Sequence, residues 1–197
     1  MKATELSKST KFLLGIDDIA KLLSIGRESA KVTASRYSKK GILIRIKPDI
    51  YIERTKFENL KEENLFRLAN IIQTPSYISL TTALSYYSIT TQQIRNFIES
   101  ISFKRTKEIT LKNITFNFTI VKKEFYYGFE LKNNFFIASP EKALADAVYL
   151  SSLKRYNCDF SAINFKKTDK KIIGKYLKNT NEKTLALWDS LCKTYKI

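Results

Sequence analysis

Between Asp17 and Ile52 the hydrophobic period changes from helical to two, and the change falls on a glycine. Before Gly41, apolar residues recur at helical spacing: Ile19, Leu22 and Leu23 in one segment, then Ala30, Ala34 and Tyr37 at i, i+4 and i+7 in the next. After it, Ile42, Ile44 and Ile46 alternate with Leu43, Arg45 and Lys47, and Ile50-Tyr51-Ile52 follows a Lys47-Pro48-Asp49 turn. The pattern predicts a helix over 17–24 with Asp17 as N-cap, an interruption at Gly26, and a second helix from Arg27 to about Lys40 ended by Gly41. A β-hairpin then follows. Helix, tight turn, helix and hairpin within about 40 residues is the order of a winged helix-turn-helix, with residues 2–13 expected to supply the first supporting helix. The same string also occurs in protein-interaction modules and in unrelated folds.

On the second helix Ala30, Ala34 and Tyr37 form the face toward the core, with small residues where a crossing helix must come close. Rotation by 100° per residue places Glu28, Val32, Ser35 and Lys39 on the opposite face, with Lys31 and Arg36 flanking. That outward face is polar and basic. Composition matters here: 35 Lys and Arg against 19 Asp and Glu give a net charge of +16, and residues 1–56 hold 13 basic and 6 acidic residues, a net +7. A surplus of this size favours a polyanionic partner, because each cation that meets a phosphate releases condensed counterions. Without a long basic amphipathic segment of the kind that lies in a bilayer interface, nucleic acid is the expected polyanion.

Residues 56–75 read as a helix carrying Leu60, Leu65, Leu68 and Ile72. Beyond them come a short helix at Leu80 to Tyr87 and strands at Phe97–Phe103, Lys107–Leu111, Ile114–Val121 and Phe135–Ala138, with turns such as Asn133-Asn134 between. Ser139-Pro140-Glu141 opens a helix, with Ser as N-cap and Pro at its first position, that should run to about Tyr156. Helices at roughly 169–179 and 182–195 close the chain, the last with Leu185, Trp188, Leu191, Cys192 and Tyr195 as core. The expected fold class is α+β. A winged helix-turn-helix over 1–56 precedes a mixed α+β domain with C-terminal helices over 57–197.

The chain contains no histidine, which removes Ser-His and Cys-His nucleophile pairs and imidazole metal sites together. None of its five glycines forms a phosphate-cradling pattern, and none is followed by Ser as a nucleotidyltransferase would want. Glu130-Leu131-Lys132 resembles half of a metal-nuclease signature, yet no Asp lies between Asp49 and Asp146 to complete it. No catalytic residue, cofactor or metal is therefore expected; a nuclease that uses Glu130 and Lys132 is the alternative from another class. Cys158 and Cys192 read as two buried thiols, and the run Lys166, Lys167, Lys170 and Lys171 as a solvated face. With charges scattered through its start and no long apolar segment, the chain is expected to be soluble and cytoplasmic, without a membrane partner.

Four segments of the second module carry a family resemblance. Ser79-Leu80-Thr81-Thr82-Ala83-Leu84-Ser85-Tyr86-Tyr87, Lys104-Arg105-Thr106-Lys107, Phe125-Tyr126-Tyr127-Gly128-Phe129, and Ile137 to Asp146 stand in order behind the predicted winged helix. Together they resemble the AbiEi family of antitoxins, transcriptional regulators of bacterial abortive-infection and type IV toxin-antitoxin systems. The resemblance spans roughly residues 10–150. It implies an autorepressor that binds inverted repeats in its own promoter as double-stranded DNA, and a C-terminal domain that counteracts a nucleotidyltransferase-like toxin without necessarily forming a stable complex. Carried over by position, the DNA contacts fall on Arg27, Lys31, Ser35 and Arg36 of the recognition helix and on Arg45 and Lys47 of the wing. Lys39, on the outward face, joins them.

Overall fold

Gly41 adopts a left-handed φ of +70° just beyond α3 (Arg27–Lys39), so the change of period in the sequence is a change of structure in the chain. The computed structural model describes residues 3–197, and the chain divides into two compact units, Met1–Asn64 and Leu65–Ile197. The division falls inside α5 (Glu62–Ile72).

In the first unit, α1 (Ala3–Ser7) leads to a short strand, β1 (Leu14–Gly15), then α2 (Ile16–Leu23), α3, and the hairpin strands β2 (Leu43–Lys47) and β3 (Ile50–Glu53). The helix expected over 2–13 is shorter than predicted: it ends at Ser7, and Leu14–Gly15 pairs antiparallel with Tyr51 and Ile50 of β3. Met1 and Lys2 lie outside the described residues. The sheet order is β1-β3-β2. Because Gly15 is extended, it caps α2, and the Asp18 carboxylate reaches back to accept from its N–H at 2.9 Å. Asp17 therefore lies within the first turn and is not the N-cap.

Leu6, Leu14, Ile16, Ile19, Leu23, Ala30, Ala34, Leu43 and Tyr51 form one buried cluster between the helices and the sheet. Alternation alone put Leu43 with Arg45 and Lys47, but the helical core covers that side of the strand at Leu43, and only Arg45 and Lys47 are exposed. Pairing between β2 and β3 is irregular between Arg45 and Lys47. The single helix expected over 56–75 is two, α4 (Arg54–Glu58) and α5 (Glu62–Ile72), because Glu53 caps α4 and the chain leaves helix at Asn59.

The second unit is built on a six-stranded mixed sheet. Its strands are β4 (Tyr77–Ile78), β5 (Phe97–Ser102), β6 (Lys107–Leu111), β7 (Ile114–Ile120), β8 (Phe129–Lys132) and β9 (Phe135–Ala138), in the order β6-β7-β5-β4-β9-β8. The β5–β7 and β4–β9 pairs are parallel and the others antiparallel. Helix α6 (Leu80–Tyr86) packs on α7 (Pro140–Ser152), which also meets α8 (Lys170–Leu177) and α9 (Glu182–Tyr195). Ser139 caps α7 as expected, accepting from the Lys142 N–H at 3.2 Å, but the helix stops at Ser152, short of Tyr156. On α9, Trp188, Leu191 and Cys192 are buried; Tyr195 is not core but exposed, its ring 4.9 Å from that of Phe165. Among the described residues no helix is long and apolar enough to cross a membrane.

Candidate nucleic-acid interface

Helix α3 is held to its unit by little side-chain volume: Ala30 and Ala34 are its buried residues, and Tyr37 is partly buried against the same cluster. Small residues let α2 and α3 approach closely, and this leaves most of the helix surface outside. Arg27, Lys31, Ser35 and Lys39 follow at four-residue intervals, drifting 40° per step around the helix, and Arg36 lies beyond them. Arg27, Ser35, Arg36 and Lys39 are exposed and Lys31 is half-exposed. At the centre of this face stands Val32, 69% exposed and the most exposed of the large hydrophobic residues described.

Two of the cations have acidic neighbours that the sequence reading did not pair. Arg27 forms an ion pair with Asp17 of α2, and Lys31 Nζ lies 2.9 Å from Glu28 Oε1. The hydrogen bond that Arg27 donates to the Asp17 carboxylate holds the guanidinium above its ordinary pKa, with smaller contributions from Asp49 and Glu28. Negative charge therefore gathers at the N-terminal end of α3. Its C-terminal half carries Arg36, 5.7 Å from the Tyr37 ring, and Lys39, with no acid in the last turn. Cations near a helix C-terminus also complement the helix dipole.

The hairpin adds Arg45 and Lys47, both exposed on β2, and Asp49 takes a left-handed φ of +60° in the turn after Pro48. All seven sequence-predicted site residues thus lie on the first unit, five on α3 and two on β2.

The second unit places its charges differently. Lys142 and Asp146 on α7 are fully buried, with Lys142 Nζ 2.9 Å from Asp146 Oδ1. Lys142 also donates to the Phe125 carbonyl at 2.7 Å, while Tyr77 and Ser79 hydroxyls donate to Asp146 Oδ2 at 3.0 and 2.7 Å. Burial pushes Asp146 up and Lys142 down, and each charge opposes the shift of the other. Enclosed and paired with each other, these groups are structural. A signal existed in the sequence: two opposite charges four apart inside the apolar run after Pro140.

Glu99, also buried, accepts from the Thr82 N–H at 3.2 Å and the Tyr156 hydroxyl at 3.3 Å; burial pushes its carboxyl up to about 7. Glu130 and Lys132 sit on β8, and among the described residues no group of three His, Cys, Asp or Glu could hold a metal. Both cysteines are free, Cys192 buried and Cys158 only half-buried, and burial pushes the Cys158 thiol up to about 12. Lys166, Lys167, Lys170 and Lys171 are exposed, with Lys167 donating to the Ser88 carbonyl and Lys170 to that of Ile197, each at 2.8 Å.

No family model and no curated protein matches the chain. Among solved structures it is similar to the RV2827C protein from Mycobacterium tuberculosis, with a TM-score of 0.63 and 8% identity over 98% of this chain and 75% of that one. At that identity the likeness concerns the fold alone: the chain has a mixed α+β architecture.

Proposed function

We propose that the first unit is a winged helix-turn-helix that binds double-stranded DNA, with α3 as its recognition helix and the β2–β3 hairpin as its wing. The observation that carries this reading is the division of α3 itself. Its inner face is reduced to two alanines, and its outer face presents Lys31, Val32, Ser35, Arg36 and Lys39 to solvent. A helix presented this way fits the major groove, where cations meet phosphates or guanine and an exposed valine meets a thymine methyl. Lys31 is released from Glu28 at small cost, since surface ion pairs contribute about 0–1 kcal/mol.

The resemblance to AbiEi antitoxins extends the proposal: the chain represses its own operon at inverted repeats, and the second unit counteracts a nucleotidyltransferase-like toxin. The residues that carry this resemblance include Ser79, Lys142 and Asp146, which are core, so the toxin-opposing surface lies on other residues. Fluorescence anisotropy against the chain's own upstream duplex and a scrambled duplex, titrated with salt, tests the DNA reading. Preference for the upstream duplex by about a thousandfold is expected for specific operator binding. Equal and steeply salt-dependent affinity for both duplexes would reduce the interaction to charge alone.

A further inference from the structure

The two ends of the six-stranded sheet differ. β6 carries Lys107 and Glu108 and is flanked by Lys104, Arg105 and Lys112, a cationic border that repels a like border. At the other end, β8 is Phe129-Glu130-Leu131-Lys132, with β9 on one side and, among the described residues, no further strand on the other. Leu131 is 64% exposed, and Phe136, opposite it on β9, is 42% exposed.

The backbone of this edge can be oriented from one hydrogen bond. The Phe136 N–H donates to Asn70 Oδ1 at 2.6 Å and so points away from β8. In an antiparallel ladder, Leu131 and Phe136 are then a non-hydrogen-bonded pair, and the N–H and C=O of Leu131 point outward. The neighbouring contact agrees, since Ser139 N–H donates to the Gly128 carbonyl and fixes the same parity along the hairpin.

We infer that β8 pairs antiparallel with β8 of a second copy of this chain about a two-fold axis through Leu131. Around that axis the outward N–H and C=O of Leu131 meet those of its symmetry mate, closing two hydrogen bonds. Glu130 then lies opposite Lys132 of the second copy, and Lys132 opposite its Glu130. Both charge pairs are attractive, on the same face, and generated by two residues of one sequence, which is the self-complementarity an isologous interface requires. The Leu131 side chains meet on the other face beside Phe136. On β6 a two-fold axis at Ile109 sets Glu108 against Thr110, and one at Glu108 sets it against itself.

Sedimentation velocity of the full chain over a concentration series, at physiological salt to screen its net charge of +16, tests the proposal. The wild type should pass from monomer to dimer. Glu130→Lys alone and Lys132→Glu alone each set like charges opposite one another, and each should weaken the dimer by about tenfold or more. An equimolar mixture of the two variants should form a heterodimer, and the double variant E130K/K132E should dimerise like the wild type. Lys132 lies 5.0 Å from the Tyr86 and Tyr87 rings, so a thermal melt checks that Lys132→Glu is folded; Glu130 is exposed, and the E130K comparison stands even if K132E is not. A wild type that stays monomeric throughout, or an E130K variant that dimerises undiminished, overturns the inference. The series contains no DNA, so its failure leaves the duplex-binding proposal untouched.

Discussion

α3 and α7 are both thirteen residues long and are used in opposite ways. α3 buries two alanines. α7 buries every residue from Lys142 to Leu150, nine in succession, so no face of its middle turns reaches solvent. A helix that is buried all round must satisfy whatever polar groups it carries, and α7 does so with an internal ion pair and two hydroxyl donors. A helix attached through alanines leaves its outer side chains without packing duties. Those side chains can change without cost to the fold, and this is the freedom a recognition surface needs.

The sharpest way to break the comparison is at the buried pair. Asp146→Ala leaves the Lys142 ammonium among the Phe125, Tyr127 and Tyr176 rings with no counter-charge, and removal of one partner of such a pair costs about 3–5 kcal/mol. Chemical denaturation should show that loss for Asp146→Ala and for Lys142→Ala. The double variant Lys142→Met/Asp146→Asn keeps an oxygen for Tyr77 and Ser79 and should lose much less than the two single effects added. Additive losses would mean that the two charges act independently.

Glu99 extends the contrast to pH. Its folded pKa of about 7 lies above its ordinary 4.5, so the folded state binds the proton more tightly than the unfolded one. The resulting stabilisation is full below about pH 4.5 and is lost as pH rises through about 7, a change of about 3 kcal/mol. Glu99→Gln should remove that slope from a series of denaturation curves between pH 5 and 8.

Within α3 the two faces can be set against each other. Ala34→Leu forces added methyl groups into the crossing with α2 and should cost about 1–3 kcal/mol, while Ser35→Leu, one residue on and exposed, should stay within about 0.5 kcal/mol. Equal effects in thermal melts would contradict the assignment of inner and outer faces.

The two helices also differ in how much of their surroundings the sequence carries. The α3 face was legible because an outward surface is the complement of a helical apolar pattern, and Gly41 and the Asn133-Asn134 turn announced themselves by residue type. Both asparagines do take left-handed φ, 46° and 67°. β4 and β8, of two and four residues, are too short for period to distinguish from loop. The Asp17–Arg27 pair was hidden for a different reason: it depends on the left-handed Ser24 that turns α2 into α3, and so on a tertiary geometry that spacing along one helix does not contain. Lys142 and Asp146 were visible as an i, i+4 pair in an apolar run, but the cap at Ser139 and the apolar residues alone account for the helix, and nothing local required the pair to be buried.

The smallest expected effect on stability comes with the most informative effect on binding. Arg36 and Lys39 are exposed and sit at the end of α3 with no acid in the last turn, Arg36 lying over the edge of the core at the Tyr37 ring. Arg36→Ala/Lys39→Ala should therefore change the unfolding free energy by no more than about 0.5 kcal/mol. If both side chains meet phosphates, affinity should fall by a similar factor on every duplex, and the slope of log affinity against log salt should flatten by about 2, roughly one for each contact. If either reads a base edge, the loss should instead concentrate on one sequence, at about 1–3 kcal/mol, with the salt slope changed less. Anisotropy titrations on two duplexes at several salt concentrations separate these outcomes. An unchanged affinity and slope would remove the C-terminal half of α3 from the interface and leave Lys31, Val32 and the hairpin to carry it.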